Sequence, residues 1–123
     1  MREECNEHLK DKQRVEWRES EDRYYDVMPY AENFFNNPNY YVNASPITIN
    51  TPFEFIASQG PMAGTLESFL DLIIDKKVNR IFMVTNLFEK DSKGNKIPKC
   101  EQYWAEPEET REIGKYILRT ESL

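Results

Sequence analysis

Cysteine and histidine are scarce in this chain, which has two cysteines, Cys5 and Cys100, and one histidine, His8, in 123 residues. Two thiols so far apart give no disulfide framework, and one imidazole cannot complete a zinc site with them, so no metal and no cofactor are expected. Long apolar runs are missing as well: none approaches the ~18 residues of a membrane span. The opening Met1-Arg2-Glu3-Glu4 has no apolar signal core, which makes a cytoplasmic protein in a reducing compartment the expectation. Positive charge is in deficit, with 16 Lys+Arg against 22 Asp+Glu and a net charge of −6. Binding to nucleic acid or to an acidic membrane surface would need a cationic face, so both are excluded as expected partners. Hydrophobic residues make up only 39% of the chain, below the ~45–50% usual for a globular domain, so a core can form but it is thin.

What is present is charge, aromatic rings and clear local punctuation. Residues 1–22 mix both charge signs around Cys5, Leu9, Gln13 and Trp17, spaced four apart; this predicts an N-terminal charged helix with one narrow docking face. Residues 23–123 read as one domain. Pro29, Pro38 and Asn36-Asn37 predict an irregular connection over 20–38, and short aromatic or β-branched runs predict strands at 40–45 and 53–58 around a turn at Asn50-Thr51-Pro52. Leu66, Phe69, Leu70, Ile73 and Ile74 fall at helical spacing, so a helix is predicted over 65–77, nearly surrounded because Leu72 widens its stripe. The apolar run 80–85 predicts an inner strand covered on both faces. Asp91, Gly94, Asn95 and Pro98 predict a hairpin with a wide loop between 86–88 and 99–104, its lysines at 90, 93, 96 and 99 solvated; a last strand is predicted at 115–120. The fold class is α/β, a mixed sheet flanked by helices.

Five short motifs run in order along the chain: R-Y-x-D-V (Arg23, Tyr24, Asp26, Val27), Y-V-N-A-S (41–45), Q-G-P (59–61), E-K (Glu89, Lys90) and K-C-x-x-Y-W (99–104). Together they resemble the front half of a protein tyrosine phosphatase domain, over about 23–104. The resemblance implies that Arg23, Tyr24 and Asp26 bind substrate: a ring at 24 stacks on the phosphotyrosine ring, and a carboxylate at 26 accepts hydrogen bonds from the substrate backbone. It implies supporting roles for Glu89, which would pair with the arginine of a phosphate cradle, and for Lys99, which would contact a general-acid loop. Cys100 matches a structural position of the family's hairpin. Each motif alone has a plainer explanation, such as a tyrosine-rich turn for R-Y-x-D or a solvated face for the lysines; the ordered set favours the family.

The sequence departs from the pattern at Phe69-Leu70, where F-W is typical, at Ala105, where the family has proline, and at Phe34-Phe35-Asn36, which replaces a basic segment. Neither W-P-D nor H-C-x-x-x-x-x-R occurs, so no residue of the chain is assigned as catalytic. The expectation is a truncated tyrosine-phosphatase-like domain, the N-terminal portion of a phosphatase that acts on phosphotyrosine proteins, and inactive as given. The alternatives are a noncatalytic interaction or decoy protein, and a small adaptor working through residues 1–22. Strands deprived of neighbours would leave an open sheet edge through which copies self-associate.

Overall fold

The computed structural model describes residues 12–122. Among the described residues, strands and one α-helix combine in an α/β arrangement, and the chain divides into two compact units, Met1–Ser58 and Gln59–Leu123. The strands pair as four antiparallel two-stranded ribbons.

In the first unit the helix expected over 1–22 lies half outside the described residues, and its described part, 12–22, is extended and ends in a turn at 19–21. Gln13 and Trp17 offer little apolar area to bury, and Trp17 stays 43% exposed. Backbone pairing satisfies the segment instead: Arg14 bridges Tyr30, Val15 N donates to Pro29 O at 2.9 Å, and Ala31 N donates to Gln13 O at 2.9 Å. Strand β1 (Asn36–Asn37) then pairs with β2 (Tyr40–Tyr41) around Pro38-Asn39, where the Asn37 side chain accepts from Asn39 N at 2.9 Å. Strand β3 (Ala44–Ile47) pairs with β4 (Phe55–Ser58), Ala44 opposite Ser58. The single strand expected at 40–45 is thus split at Val42 and Asn43. Met28, Tyr41, Val42 and Ala44 are buried beside the polar Asp22.

In the second unit a 3-10 turn (Ala63–Thr65) leads into helix α1 (Leu66–Asp75). The Thr65 hydroxyl accepts from Met62 N at 2.8 Å, taking up one of the donors exposed at this end. The helix stops in the left-handed conformation of Lys77, φ 51°, with Val78 N donating to Ile73 O at 2.9 Å and Lys77 N to Ile74 O at 3.2 Å. Leu66, Phe69, Leu70 and Leu72 are buried, but Ile74 is 63% exposed, so the helix buries one broad face and is not surrounded as expected. Strands β5 (Phe88–Lys90) and β6 (Lys96–Pro98) form one hairpin, and β7 (Thr110–Ile113) and β8 (Tyr116–Arg119) another.

The core joins α1 to the second hairpin: Leu66, Leu70 and Ile113 are buried together, with Ile73, Tyr103, Tyr116 and Leu118 packed around them. Polar contacts hold the same junction. Lys115 Nζ lies 2.8 Å from Asp71 Oδ1, and the Tyr116 hydroxyl donates to that oxygen. Gly114 adopts φ +55°, a conformation that favours glycine, and it lies close beneath the Glu67 carboxyl.

The inner strand expected at 80–85 is absent. The segment is not part of any ribbon, and Phe82 and Val84 are 79% and 97% exposed. Its β-branched and aromatic residues fit a pleated surface, but a strand exists only by pairing, and no described segment pairs with it. No helix among the described residues is long and apolar enough to cross a membrane.

Candidate functional site

The R-Y-x-D-V motif forms an exposed turn closed by Val27 N donating to Tyr24 O at 3.3 Å. Tyr24 is 40% exposed, Tyr25 75% and Val27 61%, and Asp26 is exposed; Arg23, at the base of the turn, is half-buried. So little of the turn is buried that packing alone cannot fix it.

Its support is polar and comes from other elements. Asp22, 1% exposed, accepts at Oδ2 from Arg18 N at 2.7 Å, and at Oδ1 from the Tyr41 hydroxyl at 2.7 Å and Asn43 Nδ2 at 3.1 Å. Asn43 Nδ2 also donates to Val27 O at 3.2 Å, which ties the Y-V-N-A-S motif to the turn. The Arg18 guanidinium lies over the Tyr41 ring, 3.9 Å from its centroid. Burial, and then the bond to Asp22, push the Tyr41 phenol well above its ordinary value, so Tyr41 remains a hydroxyl donor at any physiological pH.

Glu89 and Lys99 belong to the first hairpin of the second unit. Glu89, in β5, pairs across to Ile97 and is exposed; Lys99 follows β6, is half-buried, and donates its backbone N–H to Leu87 O at 2.8 Å. Asp91 organises the loop between them. Its Oδ1 accepts from Lys93 N at 2.9 Å and Asn95 N at 2.8 Å, its Oδ2 accepts from Asn95 Nδ2 at 3.1 Å, and Gly94 supplies φ +82°. The backbone N–H of Asn95 is the main cause that holds the Asp91 carboxyl below its usual range.

The base of this hairpin is set by the Q-G-P motif. Glu101 N donates to Pro61 O at 2.8 Å, and a Cβ on Gly60 would meet Lys99 O at 2.6 Å and Cys100 Cβ at 3.0 Å. Cys100 is 4% exposed beneath this contact, a packed position rather than one open to substrate. Aromatic packing continues from it, with Phe69 and Tyr103 ring centroids 5.0 Å apart and Tyr103 edge-on to Trp104 at 5.1 Å.

Tyr24 and Asp26 are thus brought together on one turn of the first unit, and Glu89 and Lys99 on one hairpin of the second. Two clefts, of about 380 Å³ beside Arg18, Phe34 and Tyr41 and about 470 Å³ beside Pro107 and Arg119, include none of these four residues. No group of three or more His, Cys, Asp or Glu side chains among the described residues is placed to hold a metal. Asp22 was not expected as a support of the turn, its only local sign being an acid set immediately before R-Y-x-D; the resemblance implied that the polar side chains of N-A-S brace backbone near the catalytic loop, and Asn43 braces the Tyr24–Val27 turn.

The family described as Protein-tyrosine phosphatase matches residues 11–122, and the chain belongs to that family. Among curated relatives, human receptor-type tyrosine-protein phosphatase zeta is 36% identical over 84 residues, covering 68% of this chain and 3% of that protein. Protein-tyrosine-phosphatase PTP1 of Arabidopsis thaliana is 34% identical over 108 residues, 80% of this chain and 31% of that protein. Human receptor-type tyrosine-protein phosphatase C is 33% identical over 115 residues, 86% of this chain and 8% of that protein. The chain therefore spans less than a third of each of these relatives, which include receptor-type proteins.

Proposed function

We propose that this chain supplies the substrate-side wall of a phosphotyrosine phosphatase domain and none of its bond-breaking groups. The observation that carries the reading is the exposed turn on which Tyr24 and Asp26 are presented together, held from behind by Asp22 and Asn43. In this role the Tyr24 ring stacks on the substrate ring, contributing ~0.5–1.5 kcal/mol beyond area burial. The Asp26 carboxylate accepts from peptide N–H groups at ~1.5–3 kcal/mol. Arg23 anchors the base of the turn, and Glu89 and Lys99 orient groups that these residues do not include.

Hydrolysis in the family requires a thiolate nucleophile, an arginine that grips the phosphate and an acid that protonates the leaving oxygen. The 123 residues contain no H-C-x-x-x-x-x-R and no W-P-D. Loss of a nucleophile costs on the order of 10⁶ in kcat in a well-dissected hydrolase. Binding alone does not compensate: the gross ~2–4.5 kcal/mol from Tyr24 and Asp26 reaches at most the low end of the ~4–15 kcal/mol that association costs.

Two measurements test this. Turnover of phosphotyrosine peptides and of a small aryl phosphate by these 123 residues is expected to be nil, and activity abolished by Cys100→Ser would overturn the reading. In a chain that also carries the nucleophile loop, Tyr24→Ala is expected to raise KM for phosphotyrosine peptides roughly 2–13-fold; an unchanged KM would remove Tyr24 from the wall.

Self-association of the chain is favoured by the exposed Phe82 and Val84 in a segment that joins no ribbon. Sedimentation of the chain tests the association: concentration-dependent dimers lost on Val84→Lys support it, and a monodisperse monomer rejects it.

A further inference from the structure

Asp22 is less exposed than any hydrophobic residue of the core, yet it belongs to none of the five motifs. A carboxyl so enclosed is retained at a cost unless donors surround it, and three do: Arg18 N, the Tyr41 hydroxyl and Asn43 Nδ2. Of these donors, the Asn43 side chain also reaches the Tyr24–Val27 turn, through Val27 O at 3.2 Å. An asparagine amide can point either its nitrogen or its oxygen at a carbonyl, and only the nitrogen is a donor. Val27 O accepts only from the nitrogen, and Asp22 Oδ1 on the other side takes that same nitrogen, so Asp22 reinforces the orientation in which Asn43 reaches the turn. Within the turn Val27 N donates to Tyr24 O at 3.3 Å and most side chains are exposed, so the Asn43 amide ties the turn from outside it.

We propose that Asp22 is a positioning residue that, acting through Asn43, holds the Tyr24–Val27 turn so that the Tyr24 ring and the Asp26 carboxylate face outward together. The significance of the device rests on the reading of that turn as a substrate-side wall; the device itself is measurable without substrate.

The test is amide hydrogen exchange, followed by NMR, on the full 123-residue chain. Asp22→Ala and Asn43→Ala are each expected to speed exchange of the Val27 amide about tenfold, the order expected for losing one well-placed hydrogen bond. The double variant is expected to exchange no faster than either single one. Asp22→Asn keeps an acceptor for Tyr41 and Asn43 but presents an amide to Arg18 N–H. It should therefore restore slow Val27 exchange while the Arg18 amide becomes fast, a separation that general loosening would not produce. The Glu101 amide, bonded to Pro61 O in the second unit, serves as the control and is expected to be unchanged. Unchanged Val27 exchange in Asn43→Ala, rates that multiply in the double variant, or an Asp22→Ala effect that Asp22→Asn fails to relieve would each overturn the proposal. Should Asp22→Ala unfold the first unit, Asn43→Ala, which leaves the Arg18 and Tyr41 bonds intact, decides the link to the turn, and Asp22→Asn decides the part of Asp22 through the opposite changes expected at the Arg18 and Val27 amides. If Tyr24→Ala leaves KM unchanged while these exchange results hold, the substrate reading fails and the positioning role stands.

Discussion

Two exposed loops carry the residues singled out by the motifs, and each is organised by one aspartate. Asp91 sits inside its own loop, and the N–H groups it gathers come from Lys93 and Asn95, two and four residues on. Asp22 sits outside the turn it supports, and two of its donors, Tyr41 and Asn43, are about twenty residues away. A loop of the first kind forms as soon as its own residues meet, because the closure entropy is small. A turn of the second kind exists only when β2 and the segment after it are in place. The hairpin loop is thus a local structure, and the Tyr24–Val27 turn a tertiary one.

Lys99 breaks this simple division, and the largest expected effect tests it. Although it follows a locally organised hairpin, its backbone is seated against Gly60, where a Cβ would meet main-chain oxygen that cannot rotate away. Gly60→Ala is expected to destabilise by about 2–3 kcal/mol, as overpacking against rigid neighbours does. Chemical denaturation would show it, and Lys99 and Cys100 amide shifts should move while those of the 91–95 loop stay. A stability change within about 0.5 kcal/mol would mean that the close approach is not maintained in solution.

Next in size is Tyr41→Phe, which removes one donor from buried Asp22 without changing the ring under Arg18. A loss of about 1–2 kcal/mol is expected, since a buried acceptor is left short of a partner. It should appear in unfolding monitored within the first unit. If Asp91→Ala costs as much, the contrast between the two aspartates is wrong.

The smallest effect is that of pH on the hairpin loop. Asp91 titrates below its unfolded value, so its contribution is present above the ordinary carboxylate range and is lost as pH falls through the lowered folded pKa. Exchange at Lys93 and Asn95 is therefore expected to quicken on acidification, relative to intrinsic rates, by a few-fold at most, and Asp91→Asn should remove the dependence. Asp71 on α1 shifts in the same direction: burial opposes its ionisation, but the bonds from Lys115 and Tyr116 outweigh it. Acid should thus loosen the seat of the second hairpin on α1 over a similar range, which amides of 114–116 would report separately.

The family, the helix α1, the first hairpin of the second unit and the last strand β8 were legible in the sequence, because each is written in residues close together; β7 was not expected, and the second arm of the first hairpin lies at 96–98 rather than 99–104. Leu66, Phe69, Leu70 and Ile73 mark one helical face by spacing alone. Asp91, Gly94 and Asn95 specify a loop by their own hydrogen bonds and the one positive φ that glycine supplies. The motif residues Tyr24, Asp26, Glu89 and Lys99 could be named for the same reason. Tertiary structure decided the rest. Residues 12–22 had a weak helical stripe but found backbone partners at 29–31, and hydrogen bonds to a distant segment outweigh a propensity of tenths of a kcal/mol per residue. Residues 80–85 had strand-forming side chains but no described partner to pair with, so propensity had nothing to act on. Asp22 reads in sequence as one more charge in a highly charged segment. Only the fold encloses it, brings Tyr41 and Asn43 to it, and turns a surface charge into the support of the turn, because burial and its compensating hydrogen bonds depend on which distant residues arrive together.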